Sequence, residues 1–418
     1  MASTTQAVRQ FNDMLNEYLP NKLFNNEMLK RDYIMSSVPK DDGWKGGSLI
    51  VPFEGAQASS IEFGQLAADS DIAQDDFVRG SVSTYVDVWG SMKFNHMDLG
   101  EHGQGIPEKT FLKILPDRVE RFMQNMKESV SVMLGTGPHF AKATANGDVS
   151  GNLTIDRIDR VHLGQKIVVD DDNSSAVTGY VRSINLNTSV IVVYDARTGG
   201  SVVDLSGYTT AQNAKLYYPG VLANSVQFSS VRSALLSAAN GGSATLHGQT
   251  KTAYPFLQAI NIDGSSINAS NILEKIFDAY TTVRTRARGS ANEILMSYKH
   301  LGSIMKLIEV QKGGFKVTPT SQKASLYGWD EIELTTVKGR LKLVAIQEWD
   351  DDVIAFIDWS CFKFYSNGMF KKRTAPDGKQ FYELRATTGY SYIVDISLYG
   401  ELVCLKPTGC GIIYGISY

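Results

Sequence analysis

Cysteine is scarce in this 418-residue chain: Cys361, Cys404 and Cys410 are all there is. Three thiols without a CxxC pair exclude a disulfide framework and a thiolate metal array, and a reducing compartment is the simplest setting. Long apolar runs are also missing. No stretch approaches the ~20 apolar residues of a membrane-spanning helix, and the opening MASTTQAVRQFND has no signal-like apolar core. Neither charge sign dominates: 41 Lys and Arg stand against 44 Asp and Glu, for a net charge of −3. A generally basic nucleic-acid surface is thereby excluded, and any DNA contact is local or incidental. Histidine is sparse too. His96, His102, His139, His162, His247 and His300 show neither HExxH nor another paired ligand spacing. No P-loop or GxSxG motif occurs, and Gly409-Cys410-Gly411 lacks the spacing of a dinucleotide loop. The expectation is a chain with no catalytic residue, no cofactor and no metal.

What is present is a folded composition, with 43% hydrophobic and 20% charged residues. The organising stretch is LPDRVERFMQNMKESVSVMLGTG, residues 115–137. Val119, Phe122, Met126, Val130 and Met133 recur at spacings of three and four, which predicts an amphipathic helix. Pro116 suits its first turn, and Gly135 and Gly137 suit its end. Upstream, Thr4 or Thr5 caps a short helix ended by Pro20. Residues 21–40 read as an irregular arm that packs on its own chain or on a neighbouring copy.

Residues 44–94 form the second informative stretch. SLIVPFEG predicts a strand, and SVSTYVDVWGSMKF a long returning one. Between them, residues 54–76 carry Glu54, Glu62, Asp69, Asp71, Asp75 and Asp76 without a single Lys or Arg. Such a segment builds no core of its own, and a connection this long inside a domain is uncommon unless it is functional or disordered, a disordered acidic loop being the alternative. It predicts a projecting hairpin that lies on another surface.

After a polar linker at 138–152, strands are predicted at 154–161, 166–170, 177–184, 189–195 and 215–218, separated by Asp-, Asn- and Gly-rich turns. Five strands in so short a span suggest a small barrel or sandwich. Further on, Ser270 is expected to cap a helix carrying Ile272, Leu273, Ile276, Phe277, Tyr280 and Val283. EILMS at 293–297 reads as a buried strand, followed by a helix over 299–311. From 331 onward the chain is almost all strand, with runs at 331–337, 340–347, 353–358, 361–365, 379–385, 390–399, 401–405 and 411–417. Asp350-Asp351-Asp352 reads as a solvated turn in preference to a cation site. Lys371-Lys372-Arg373 is the densest basic run, either a solvated turn or a surface for an anionic partner or packaged nucleic acid. The acidic residues Glu62, Asp69, Asp71, Asp75 and Asp76 and the basic Lys371, Lys372 and Arg373 are the candidate inter-subunit contacts.

This order of parts resembles the major capsid proteins of tailed bacteriophages with the Hong Kong phage fold. The resemblance rests on GGSLIVPFEG with SVSTYVDVWG as the extended loop, LPDRVERFMQNMKESVSVMLGTG as the spine helix, and NILEKIFDAYTTVRTRA with EILMSYKHLGSIMKLIE as the central segment. It implies an α+β chain divided into an N-terminal arm (1–43), an extended β-hairpin loop (44–94), a peripheral domain with the spine helix (95–153), an inserted small β-barrel (154–218) and a central domain with returning peripheral strands (219–418). It also implies a virion shell subunit forming pentamers and hexamers, made in the host cytoplasm. The implied partners are a portal protein, auxiliary or decoration proteins, and packaged double-stranded DNA, with no membrane. Only 43 residues precede Trp44, so a separate scaffolding protein is expected. No lysine lies between Lys45 and Lys93, so a shell without covalent crosslinks through this loop is expected.

Three rival readings remain at the level of sequence. A carbohydrate-binding or adhesion protein would use Tyr180, Tyr194, Tyr208, Tyr217 and Tyr218 as a sugar-stacking face, although core tyrosines are commoner. An enzyme would use dispersed carboxylates. A non-viral compartment shell would share the same fold.

Overall fold

The computed structural model describes residues 33–44, 47–56, 76–82, 86–95, 108–171, 175–221, 228–286, 290–310, 332–336, 339–367, 371–372, 382–386 and 389–418. The helix expected before Pro20 lies outside these residues. The part of the arm within them packs on its own chain. Helix α1 (Tyr33–Ser37) buries Ile34 and Met35, and strand β1 (Lys40–Asp41) pairs in parallel with residues 364–365.

Strand β2 (Leu49–Ala56) pairs antiparallel with β3 (Asp76–Val82), from Leu49 opposite Val82 to Ala56 opposite Asp76. The return strand therefore starts five residues before the expected Ser81. The rest of the predicted run is a separate strand, β4 (Val86–Asn95), which joins another sheet. Alternation along 81–94 could not reveal this change of partner, because both strands have the same period.

Helix α2 spans Glu108–Gly135, 28 residues. It begins well before Pro116, which lies inside the helix and not in its first turn. The preceding EKTFLKIL is rich in good helix formers and opens with an acidic residue, at the cost of the hydrogen bond Pro116 cannot donate. The expected apolar face holds where side chains are described: Met126, Val130 and Met133 are buried, and Phe122 is partly buried against the same core. The helix ends as expected. Thr136 N–H donates to the Val132 carbonyl at 2.9 Å, and Gly137 has φ +124°. Gly135 has a packing role as well, since a Cβ there would sit 3.1 Å from Ile34 and 3.5 Å from Trp349.

The β-rich unit follows: β5 (His139–Lys142), β6 (Asn152–Thr154), β7 (Lys166–Asp170), β8 (Val177–Asn185), β9 (Val190–Tyr194) and β10 (Lys215–Tyr217). They form one sheet in the order β5-β10-β7-β8-β9-β6. Its two edges also meet: Ala143 bridges Ile155, Thr144 N–H donates to the Thr154 carbonyl at 2.9 Å, and Asp156 N–H to the Lys142 carbonyl at 3.0 Å. The sheet thus closes on itself, which leaves no open edge. It starts at His139, inside the stretch expected to be a linker, and residues 155–161 form a turn of 3-10 helix (Ile158–Arg160) in place of the rest of a strand. Phe140, Leu153, Ile167, Val181, Ile191, Val193 and Leu216 fill it, and Val132 of α2 joins the same core.

The remaining elements in chain order are α3 (Val231–Leu235), the ribbon β11 (Thr245–Leu246) and β12 (Gln249–Thr250), β13 (Ile260–Asp263), α4 (Ile272–Arg286), β14 (Glu293–Met296), α5 (Tyr298–Val310), β15 (Ile332–Thr336), β16 (Gly339–Ala345), β17 (Val353–Ile357), β18 (Phe362–Ser366), β19 (Lys371–Lys372), β20 (Tyr382–Ala386), β21 (Gly389–Cys404) and β22 (Gly411–Tyr414). A mixed sheet, β13-β22-β17-β14-β16-β15, carries α4 and α5. The cap of α4 differs from expectation: Asn268 Oδ1 accepts the N–H groups of Ser270 and Asn271, and Ser270 only donates its hydroxyl to the same oxygen. In the second sheet β21 pairs with β4 along one edge and with β18, β19 and β20 along the other. Two predicted runs, split at Gly400, are this one strand of 16 residues. Gly400 is needed for close approach, since a Cβ there would lie 2.6 Å from the Phe364 ring.

Candidate assembly surfaces

The base of the hairpin is fastened to its own chain. On β2, Val51 and Phe53 are buried whereas Ile50 is 62% exposed, the alternation of a strand with one covered face. The β11–β12 ribbon forms part of that cover, over Phe53 and β3. Ser81 N–H donates to the His247 carbonyl at 2.9 Å, Gln249 Nε2 donates to the Arg79 carbonyl at 2.7 Å, and the His247 ring stacks on Phe53 at 6.1 Å. Gly80 permits this approach: a Cβ there would lie 2.5 Å from Phe53 and 3.1 Å from the His247 carbonyl oxygen. His247 also accepts the Cys404 N–H at Nε2, 3.1 Å away, and so ties the hairpin to β21. Burial, with a smaller contribution from Lys251, pushes its imidazole down to about 4, the neutral form that this hydrogen bond needs. Beside it, Lys251 Nζ donates to the carbonyls of Ser233 and Leu236 at 2.7 and 2.8 Å, and burial brings its ammonium down to about 8.

A second joint holds the closed β-unit to the body. Asp350 and Asp352, expected on a solvated turn, are instead its centre. Arg232 of α3 bonds Asp350 at 2.7 Å and both oxygens of Asp352 at 2.8 and 2.7 Å. Arg160 of the β-unit, 2% exposed, bonds Asp350 at 3.1 Å and the Phe140 carbonyl at 3.0 Å. Lys142 approaches Asp352 at 3.5 Å, and Arg157 donates to the carbonyls of Trp349 (2.6 Å) and Gln347. Burial pushes the Asp352 carboxyl up, but Arg232 and Lys142 hold it below the usual carboxylate range. The partners lie 118 to 210 positions apart, so no local pattern could reveal them. Three carboxylates in a row were the only signal. No cluster of three or more metal-ligating side chains occurs among the described residues, and no helix among them is long and apolar enough to cross a membrane.

Of the candidate contact residues, Glu62, Asp69, Asp71, Asp75 and Arg373 lie outside the described residues. Asp76 opens β3 opposite Ala56. Lys371 and Lys372 form β19, opposite Ser397 and Ile396 of β21, and Lys371 Nζ donates to the Asn367 carbonyl at 2.5 Å. The tyrosines of the adhesion reading do not form one face. Tyr208 is buried, and Tyr218 stacks on Phe140 at 4.7 Å. Tyr180 and Tyr194 are cross-strand neighbours, with Lys166 over one ring at 5.9 Å and Arg182 over the other at 4.8 Å.

No family model matches the chain, and no curated protein matches it. Among solved structures it is similar to a chain of the Cyanophage A-1(L) capsid asymmetric unit, with 11% identity, 91% of each chain covered and a TM-score of 0.47. It is similar to the capsid of a native GTA particle, with 10% identity over 92% of this chain and 90% of that one, TM-score 0.46. It is also similar to the SrpI encapsulin of Synechococcus elongatus PCC 7942, with 8% identity over 92% and 88%, TM-score 0.39.

Proposed function

We propose that this chain is the major capsid protein of a tailed phage, which assembles with copies of itself into an icosahedral shell of pentamers and hexamers around double-stranded DNA. The observation that carries this reading is the hairpin. Its base is fastened to the ribbon by hydrogen bonds with β3 and by the Phe53 ring of β2 on His247, and the two strands lead into residues 57–75, which hold four carboxylates and no cation. A rigid base under an acidic, coreless segment suits contact with another subunit, because the segment has little apolar surface to bury on its own chain. The work of the chain is then assembly, not catalysis. Its partners are a separate scaffolding protein, a portal protein, auxiliary or decoration proteins, and DNA by non-specific proximity. Assembly takes place in the host cytoplasm, and the product resides in the virion.

Negative-stain microscopy of the expressed protein, alone and with its neighbouring genes, tests the reading. Closed shells of uniform size are expected. A chain that stays monomeric under both conditions overturns it. Packaged DNA inside purified particles distinguishes a phage coat from a compartment shell, which would hold a cargo enzyme.

A further inference from the structure

The outer face of the closed β-unit carries a groove of about 500 Å³ across β8, β9 and β6, a volume within the ~300–1,000 Å³ of small-molecule sites. Val190 and Val192 of β9 line its middle. They alternate with the buried Ile191 and Val193 and therefore face outward. Polar residues flank them on both sides, and several of their hydrogen-bonding groups are already spent in a way that orients the rest. Asn146 Oδ1 accepts from Thr210 N–H at 3.0 Å and from its hydroxyl at 3.3 Å, which leaves the Asn146 amide N–H₂ as an unspent donor. Asn185 Oδ1 accepts from the N–H groups of Asn187 and Thr188 at 3.1 and 3.3 Å, which leaves a second unspent donor. Asn152 Nδ2 donates to Asp148 at 2.8 Å, which leaves its Oδ1 as an unspent acceptor. The hydroxyl of Ser183 adds a group that both donates and accepts.

We propose that this groove binds a neutral oligosaccharide. The lining contains no Lys or Arg, and its one carboxylate, Asp148, already accepts from Ser150 N–H, Asn152 N–H and Asn152 Nδ2. An anionic ligand would meet a negative charge with no cation to offset it. A purely apolar ligand would strip water from the carboxamides without replacing their hydrogen bonds. A polyol supplies donors and acceptors at close intervals and an aliphatic ring face for the valines. Recognition here works by hydrogen bonding. The Tyr180 and Tyr194 rings are attended by Lys166 and Arg182, and neither tyrosine lines the groove.

The proposal does not rest on the shell reading, and its failure and that of the shell reading are read by different measurements. The full chain is applied to an array of neutral gluco-, manno-, galacto- and N-acetylglucosamine oligosaccharides, with heparin as the anionic control. The double variant Asn146→Asp with Asn185→Asp keeps both side-chain acceptors that hold the turns and removes both donors. Saturable binding to at least one neutral oligosaccharide is expected, with none to heparin, and at least a tenfold loss in the double variant at unchanged melting temperature. If the double variant melts early, Ser183→Ala, which disturbs no hydrogen bond holding these turns, must weaken binding instead. Absence of binding to every neutral oligosaccharide at millimolar concentration overturns the proposal, as does binding that neither variant changes. A shift in oligomeric state caused by the variants without any sugar bound assigns the groove to contacts between copies and equally overturns it.

Discussion

Arg232 and Asp352, 120 positions apart, form a fork-to-fork pair at 2.8 and 2.7 Å, and the same guanidinium reaches Asp350 at 2.7 Å. Its side chain is 13% exposed and that of Asp350 12%. Removing the cation leaves the mostly buried Asp350 to Arg160 alone and Asp352 to the more distant Lys142 alone. Arg232→Ala is expected to destabilise the chain by about 3–5 kcal/mol, the usual cost of breaking a buried pair from one side. Arg232→Lys keeps the charge but loses the fork, and recovers part of the loss. Denaturant titration of both variants reads the difference. Because the Asp352 pKa is depressed, the stability this carboxylate contributes is present above the usual carboxylate range and lost as pH falls through its folded value.

His247 and Glu401 pull stability in opposite directions with pH. The folded imidazole sits at about 4 against 6.5. Its contribution is therefore full above 6.5 and is lost as pH falls from 6.5 to 4, a span on the order of 3 kcal/mol. His247→Gln keeps an acceptor for the Cys404 N–H and is expected to flatten this slope between pH 7 and 5. Glu401 behaves in reverse. Burial, opposed by hydrogen bonds from Ser229, raises its carboxyl to about 8, so its contribution is full below 4.5 and lost as pH rises toward 8. Glu401→Gln is expected to stabilise the chain at pH 8.5 and to change little at pH 4.5. Urea midpoints at these pH values check both, and equal slopes in wild type and variants would contradict them.

Met126 of α2 packs against β4. A Cβ on Gly90 would lie 2.4 Å from the Phe122 ring and 3.2 Å from the Met126 sulfur. Gly90→Ala should cost ~1–3 kcal/mol by overpacking, and Met126→Ala ~2–5 kcal/mol by truncation. Met126→Asp should yield no soluble subunit. A soluble, normally assembling Met126→Asp would refute this helix face.

Residues 138–219, excised, should give dispersed amide NMR signals, whereas residues 152–220 should not. The shorter piece lacks β5, whose Phe140 is fully buried and whose end closes the sheet through Ala143 and Ile155. The ends of the longer piece meet, since Tyr217 pairs with His139. Good dispersion from the shorter piece would show that β5 is dispensable.

The acidic segment and the basic run can be tested as a pair in assembly. Reversing Asp69 and Asp71 should hinder shell formation while leaving the subunit folded, and reversing Lys371 and Lys372 as well should partly restore it. Each exposed pair is worth only ~0–1 kcal/mol, but repetition should make assembly salt-dependent. Light scattering of assembly at low and high salt reads both effects. A single reversal without effect, or a quadruple variant without recovery, excludes this pairing.

Local periodicity and turn chemistry determined most of the elements. The face of α2 through Met126, Val130 and Met133, the buried β14, the two helices on the mixed sheet and most of the later strands follow from side-chain spacing, because one covered face imposes a period on the chain. Sequence alone also set the absence of catalytic motifs and the charge of residues 54–76. Tertiary structure decided everything that depends on a distant partner. Residues 76–82 and 86–95 alternate alike, yet one pairs with β2 and the other with β21. Gly400 resembles a strand break but allows β21 to pass the Phe364 ring. Asp350 and Asp352 resemble a solvated turn until Arg160 arrives from the β-unit and Arg232 from α3. A periodic pattern records only that a face is covered; what covers it is settled by the packing of the whole chain.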